Sequence, residues 1–307
     1  MVTKRCSGWC KHCSVITTNR NPDNSFKDLE RLISAMQTVL GKFSVASMMT
    51  YGGEPLLYPD ITTKLHRIAL ELNVPSQELI TNGYFSRDKS KINFVVNELK
   101  KAGVTKVFLS VDSFHQEYIP IEYVELFIGS VISNGFEKFL LHPAWLISED
   151  SENEYNNKTH KILNYLKDKY KVNVSMGTII SPAGLSRNNL RQYYENRLLN
   201  LEKRCGEIAF TNPLTNINNL RFLPNGDVNI CRGLCIGNVF VDTIESILEN
   251  YDPYHNRIIS MLMDGGIKRL VESSRERGTP VDVNQYYGLC DLCADCIKVL
   301  KKVKENE

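Results

Sequence analysis

From residue 26 to residue 180 the chain repeats one alternation, a stretch of helical apolar period followed by a short apolar run that stops at a turn. FKDLERLISAMQTVL (26–40) puts Leu29, Leu32, Ile33, Met36 and Leu40 at helical spacing, and SVASMMTY (44–51) reads as a strand ending at Gly-Gly. The unit recurs four times. ITTKLHRIALEL precedes QELITNGY, INFVVNELKKAG with Gly103 as its C-cap precedes KVFLSVDS, YVELFIGSVISNG (123–135) precedes FEKFLLHPAW, and HKILNYLKDKY (160–170) precedes KVNVSMGTII. Strands alternating with helices build a parallel sheet with helical crossovers, so an α/β fold is expected. Ligands of such sheets bind at the C-terminal ends of the strands. YGGEP (51–55), TNGYF (81–85), SVDSFH (110–115), HPAW (142–145) and ISPAG (180–184) each follow a strand, so five loops are expected at one mouth.

The cysteines divide the chain in two. Cys6, Cys10 and Cys13 stand near the start, none lies between Cys13 and Cys205, and Cys205, Cys231, Cys235, Cys290, Cys293 and Cys296 occupy the last third. Nine is an odd number for a disulfide framework, and 307 residues with 42% hydrophobic content can build one large core or two moderate ones without disulfide staples. Metal or redox chemistry is the better reading. A net charge of +2 with no Lys/Arg run excludes an evident nucleic-acid or anionic-membrane surface. No apolar stretch approaches the roughly 18 residues of a membrane span, and no signal-peptide core opens the chain, so a cytoplasmic protein is expected.

CSGWCKHC (6–13) spaces its thiols C-x3-C-x2-C. Structural zinc is nearly always closed by four ligands, and His12 lies directly beside Cys13, poorly placed to share the same ion. A [4Fe–4S] cluster normally takes four cysteines; held by three, it keeps one iron open. With GGEP at the end of the next strand, the chain resembles the radical S-adenosylmethionine (SAM) superfamily over residues 1 to about 190. The resemblance implies a partial (β/α)6 TIM-like barrel, a cluster on Cys6, Cys10 and Cys13, and SAM chelated through its amino and carboxylate groups by the open iron. It places Gly52, Gly53 and Glu54 at the methionine amino group, His12 against the adenine, and Asn82, Ser110 and Asp112 at ribose or carboxylate. Only MVTKR precedes Cys6, so the first barrel strand is expected to be a stub.

The last third, 191–307, reads as a second, α+β domain rich in cysteine. RCGEIAF (204–210), RFLPNGDVNICRGLCIGNVF (221–240) and CDLCADC (290–296) hold six cysteines, and PNGD reads as a tight hairpin. Paired thiolates at these spacings also suit a zinc ribbon, and spacing leaves that open. After a radical SAM barrel, a cysteine, NGDV, a cysteine before GNV, then C-x2-C resembles the SPASM or shorter twitch extension. That resemblance implies an auxiliary [4Fe–4S] cluster, here on Cys205, Cys231, Cys290 and Cys293, leaving Cys235 and Cys296; CADC could shift the set by one.

The layout is most similar to ribosomal-peptide maturases of the epipeptide epimerase group, which implies a precursor-peptide substrate, an electron donor such as flavodoxin or ferredoxin, and Cys235 as hydrogen-atom donor. Peptide thioether or carbon–carbon crosslinking, a small-molecule dehydrogenase, and a non-catalytic metal-binding scaffold or sensor are the alternatives. His115 and His142 at strand ends, Trp145 and Tyr84 as groove aromatics, and Arg187 as a SAM or substrate contact complete the candidates, each with an ordinary structural explanation.

Overall fold

The computed structural model describes residues 1–14, 28–194, 198–208 and 211–302. They fall into two compact units, Met1–Ile180 and Ser181–Glu307. Phe26 and Lys27 of the expected first helix, and Ala209 and Phe210 of the RCGEIAF segment, lie outside the described residues.

The first unit runs α1 (Leu29–Lys42), β1 (Ser47–Thr50), α2 (Pro59–Glu71), β2 (Ser76–Thr81), α3 (Lys89–Lys101), β3 (Lys106–Ser110), the short α4 (Ser113–Gln116), α5 (Ile121–Ser133), β4 (Lys138–His142), β5 (Ala144–Trp145), α6 (Glu154–Tyr170), β6 (Asn173–Val174) and β7 (Thr178–Ile179). Its main sheet has the order β1-β2-β3-β4-β6 with every pairing parallel, and β5 and β7 pair in parallel beside it. This is the expected α/β architecture, consistent with a partial barrel. The alternation of strand side chains explains its core. Leu79, Val107, Leu109 and Leu141 pack with Ile92, Val95, Val96 and Leu99 of α3 and Val124, Phe127, Ile128 and Val131 of α5. α1 starts where Asp28 Oδ1 accepts from Arg31 N at 3.1 Å, and it buries Ile33, Met36 and Leu40 with Ile68, Ala69 and Val74.

Among the described residues the main sheet holds five strands, and the stub expected before Cys6 is not one of them. Residues 2–5 instead follow the loop after β1 through Val2 N to Tyr51 O (2.8 Å), Gly53 N to Thr3 O (2.8 Å) and Glu54 N to Arg5 O (2.7 Å). The reason is proximity: a Cβ on Gly53 would lie 1.9 Å from Arg5 O, and one on Gly52 2.4 Å from Thr3 O. Only glycine lets the two backbones approach this closely.

The second unit contains α7 (Leu185–Asn189), β8 (Arg221–Phe222), β9 (Asp227–Asn229), β10 (Cys235–Asn238), α8 (Ile244–Glu249), α9 (Arg257–Glu276) and α10 (Leu289–Lys302). β8 and β9 form the hairpin expected at PNGD, and β10 adds antiparallel to β9. Ile259, Leu262, Ile267, Leu270 and Val271 of α9 share a core with Leu292, Cys293, Cys296, Ile297 and Leu300 of α10. Gly266, at φ +62°, breaks α9 into two helical stretches, and Arg204 Nη2 donates to Asp264 O at 3.0 Å beside the break. The division falls at 180/181, ten residues before the expected 190/191 boundary, and within the second unit α7 is bonded to α10 through Arg187.

Candidate functional site

The Cys6–Cys13 loop closes on a Cys13 N to Cys10 O bond of 3.0 Å and is tied down by Lys11, whose Nζ donates to Glu117 at 3.0 Å and lies 5.7 Å from the Tyr155 ring. Two N–H donors face the Cys6 sulfur, Gly8 N at 3.4 Å and Asn82 Nδ2 at 3.5 Å. The three sulfurs are electrostatic neighbours. Burial first, then Glu54 and Cys13, push the Cys6 thiol up to about 12; burial, then Asp112, Cys6 and Cys13, push Cys10 up further. A cation among them reverses that penalty by favouring thiolates.

Glu54 follows the double glycine and is fully buried. Its Oε1 accepts from Leu56 N (2.9 Å) and Thr81 Oγ1 (2.6 Å), and its Oε2 accepts from Asn82 N (2.7 Å). Every one of these donors is neutral. Burial therefore lifts the carboxyl to about 7, against the pull of the Thr81, Asn82 and Leu56 bonds and of His115. An ammonium placed at this oxygen pair would restore ordinary carboxylate behaviour. Thr81, the residue that holds Glu54, was missed by sequence reasoning; its signal was a hydroxyl directly before the Asn-Gly stop of β2.

Asn82 and Asp112, expected as SAM contacts, are bonded within the protein. The Asn82 amide is engaged with Ser7 Oγ (3.1 Å) and Cys6, and its Oδ1 accepts from Tyr84 N at 2.8 Å, so it joins the cysteine loop to the end of β2. Asp112 is the N-cap of α4: Oδ1 accepts from Phe114 N and His115 N, both at 3.0 Å, and Oδ2 from His115 Nδ1 (2.8 Å) and Ala144 N (3.0 Å). Burial raises this carboxyl, but the His115 ring and these bonds more than offset it and hold it at about 2. His115 is correspondingly raised by Asp112 despite its burial. The Asp-Ser-Phe-His spacing was the available signal for this pair.

His12 packs its ring 4.9 Å from Phe114 and 5.0 Å from His115. The residue is partly exposed, yet its Nδ1 is sealed from solvent without a hydrogen-bond partner. Burial lowers it to about 4, so the imidazole is neutral. Ser110 lies half-buried at the end of β3, paired in register with His142. His142 bonds Ser175 (2.8 Å) and Thr178 (2.9 Å). Trp145 is buried in the core and is no groove aromatic, and half-buried Tyr84 lies 5.1 Å from the Tyr123 ring.

The late cysteines sort into unequal groups. Burial and then Cys231 and Cys290 push the Cys205 thiol up to about 11; Cys290 is raised by burial and by Cys231; Cys293 is raised by burial and by Cys205, Cys231, Cys290 and Cys296. Cys290 and Cys293 lie in the first turns of α10, where the helix N-terminus favours an anion. Cys296 is fully buried in the α9–α10 core. Cys235 sits apart on β10, its Sγ donating to Gly237 O at 3.2 Å and its electrostatic neighbours being Asp227 and Lys301. Among the described residues no group of three or more His, Cys, Asp or Glu side chains forms a preformed ion cage, so both cysteine groups are neighbourhoods of thiols that a metal centre would gather. Their donor chemistry, all sulfur and partly served by N–H groups, suits iron–sulfur. No described helix is long and apolar enough to cross a membrane.

Residues 1–131 match the radical SAM superfamily. Over 116 residues the chain is 30% identical to GTP 3′,8-cyclase 2 of Pseudomonas aeruginosa, covering 38% of this chain and 33% of that protein. GTP 3′,8-cyclase of Listeria monocytogenes is 27% identical over 117 residues, again 38% of this chain and 33% of the relative. The match therefore spans about a third of the length of these relatives. The crystal structure of BtrN in complex with AdoMet and 2-DOIA aligns over 87% of both chains with a TM-score of 0.45 and 14% identity. The family match is confined to the N-terminal region, and the cofactors of that family are a [4Fe–4S] cluster and SAM.

Proposed function

We propose that the chain is a radical SAM enzyme that takes a hydrogen atom from a peptide. The observation that supports this most is the meeting of three coupled thiols, Cys6, Cys10 and Cys13, with a buried carboxylate, Glu54, whose bonded partners are all neutral. A [4Fe–4S] cluster with SAM, given one electron by a donor such as flavodoxin or ferredoxin, would supply reductive cleavage of the sulfonium to methionine and the radical that takes hydrogen from substrate. The chain's residues bind and orient. Cys6, Cys10 and Cys13 give thiolates, with Gly8 N–H and the Asn82 amide directed at the Cys6 sulfur. Glu54 accepts the SAM ammonium, Gly52 and Gly53 keep the adjoining backbone bare, and the partly exposed, neutral His12 ring packs against the adenine. Ser110 remains a ribose or carboxylate contact. Asp112 and Asn82 act by holding these elements in place.

The outcome we propose is epimerisation of L- to D-residues in a ribosomally made precursor. The peptide Cα–H bond breaks on one face, and the Cys235 S–H bond breaks to form a new Cα–H bond on the other. An electron from a donor such as flavodoxin or ferredoxin, with a proton from solvent, restores the thiol. Cys235 suits this role because it is half-buried, bears an S–H directed at Gly237 O, and stands outside the Cys205, Cys231, Cys290 and Cys293 neighbourhood, to which we assign an auxiliary [4Fe–4S] cluster.

The test compares anaerobically reconstituted wild type with a variant in which Cys6, Cys10 and Cys13 are all Ala. SAM cleavage in the wild type, and its loss from a variant that keeps about four irons, is expected. No cleavage by the wild type overturns the enzyme reading; zinc in place of the remaining iron overturns the auxiliary cluster. With a peptide that raises 5′-deoxyadenosine release, turnover in D2O should add about one mass unit per centre by hydrogen counting. A loss of about two units indicates crosslinking, and stimulation by GTP but by no peptide removes the peptide reading.

A further inference from the structure

Arg187 does not have the surroundings of a SAM contact. Its Nη1 donates to Asp291 Oδ2 at 3.0 Å and Asp295 Oδ2 at 3.1 Å, both on α10. Its guanidinium carbon lies 4.9 Å from the centre of the Tyr286 ring, and Tyr286 OH donates to the same Asp295 oxygen at 3.0 Å. Lys298 Nζ holds the other Asp295 oxygen at 2.7 Å. Asp291 and Asp295 are four residues apart, a like-charge spacing that by itself disfavours a helix. Asp291 is moreover only 7% exposed and lies in sequence between Cys290 and Cys293. A buried negative charge so close to a sulfur-ligated centre opposes the addition of an electron to it; the Arg187 guanidinium bonded to it offsets that opposition, and Arg232 is a second cation acting on Asp291.

We infer that Arg187 is a positioning residue that sets the electron affinity of the metal centre assigned to Cys205, Cys231, Cys290 and Cys293, by neutralising Asp291 and fixing α10. The inference rests on that auxiliary-cluster reading. Arg187 anchors α7 to the helix that carries two of the four thiols, and it is the only side chain that bonds both acids among the described contacts. Its charge and its placement therefore act on the same turn of α10.

The test uses the full chain with Cys6, Cys10 and Cys13 replaced by Ala, so that only the late site can hold iron, and reads its midpoint potential by spectroelectrochemical titration. Arg187→Gln should keep about four irons and shift the potential negative, with the reduced fraction at a fixed low potential falling roughly 10-fold. Arg187→Gln with Asp291→Asn should return the potential towards that of the parent, and Arg187→Lys should retain most of it. An unchanged potential in Arg187→Gln, or equal shifts in the single and double variants, overturns the inference while leaving the cluster reading intact. Should Arg187→Gln lose its iron, Asp291→Asn alone decides, since a positive shift is expected and no shift overturns it. A parent without iron sinks the auxiliary-cluster reading itself, and this inference with it.

Discussion

The two cysteine groups are built on opposite plans. In the first unit three thiols arrive within eight residues of one loop, and their neighbours include a buried carboxylate whose bonded partners are all neutral, the Asn82 amide and the His12 ring. In the second unit four thiols come from three separate segments and converge beside a helix N-terminus, with the neighbouring acids already matched by Arg187 and Lys298. One group is local; the other is brought together by tertiary folding. On the function proposed above, the first would admit a ligand and the second would retain a centre, which would tie metal retention there to the fold of the unit.

The harshest trial of that contrast replaces Cys205, Cys231, Cys290 and Cys293 with Ala. About four irons should be lost, the second unit should become protease-sensitive, and substrate-free SAM cleavage should persist. Cleavage lost in step with the late iron would make the two groups one functional centre. Next, Gly53→Ala forces a Cβ to within 1.9 Å of Arg5 O and should destabilise the first unit by about 3 kcal/mol in denaturant unfolding. Glu54→Gln sharpens the picture of an incomplete site. Removing a charge-assisted bond to the SAM ammonium should weaken SAM binding about 10- to 100-fold by equilibrium dialysis, and unchanged affinity would leave Glu54 a structural cap.

Acid should separate the units more gently. The Asp112 carboxyl is held at about 2 in the folded chain against an ordinary 3.8, so the native state binds fewer protons there. Its stabilisation, about 2 kcal/mol, is present above roughly pH 4 and is lost as pH falls towards 2. Thermal unfolding of the first unit should follow that limb, and Asp112→Asn should start less stable and show a shallower one. The smallest expected effect is a control. Gly129 lies exposed in α5 with no atom within 4 Å of a built Cβ, so Gly129→Ala should raise stability by about 0.5–1 kcal/mol without altering either metal site.

Much of the first unit was legible because period and punctuation agree there. The helices through Met36, Val95 and Phe127 and the strands through Leu79 and Leu109 bury the faces that the apolar spacing marks. The side chains that hold the strand ends in place were harder to read. Asp112 and Asn82 sit at the strand ends where a ligand contact was expected, but their bonding partners, Ala144 and Ser7, are far away in sequence. A spacing rule does not reach such partners. Arg187 shows the same limit, since its acids lie more than a hundred residues onward. CDLCADC was read as a ligand motif without a conformation; as a helix it seats both Cys293 and Cys296 in the α9–α10 core, with Cys293 also among Cys205, Cys231 and Cys290. The double glycine was assigned to a ligand, yet its need for bare backbone is already explained by the approach of residues 3–5.

The scatter of the late thiols along the chain also fixes a birth order. Translation delivers Cys6, Cys10 and Cys13 together and first, whereas Cys290 and Cys293 follow about 280 residues later, on the order of half a minute at ordinary elongation rates. During that interval iron can be offered to the loop of Cys6, Cys10 and Cys13, while the four thiols we assign to an auxiliary cluster lack half their number. On that assignment the later set could fill only after α10 has been made.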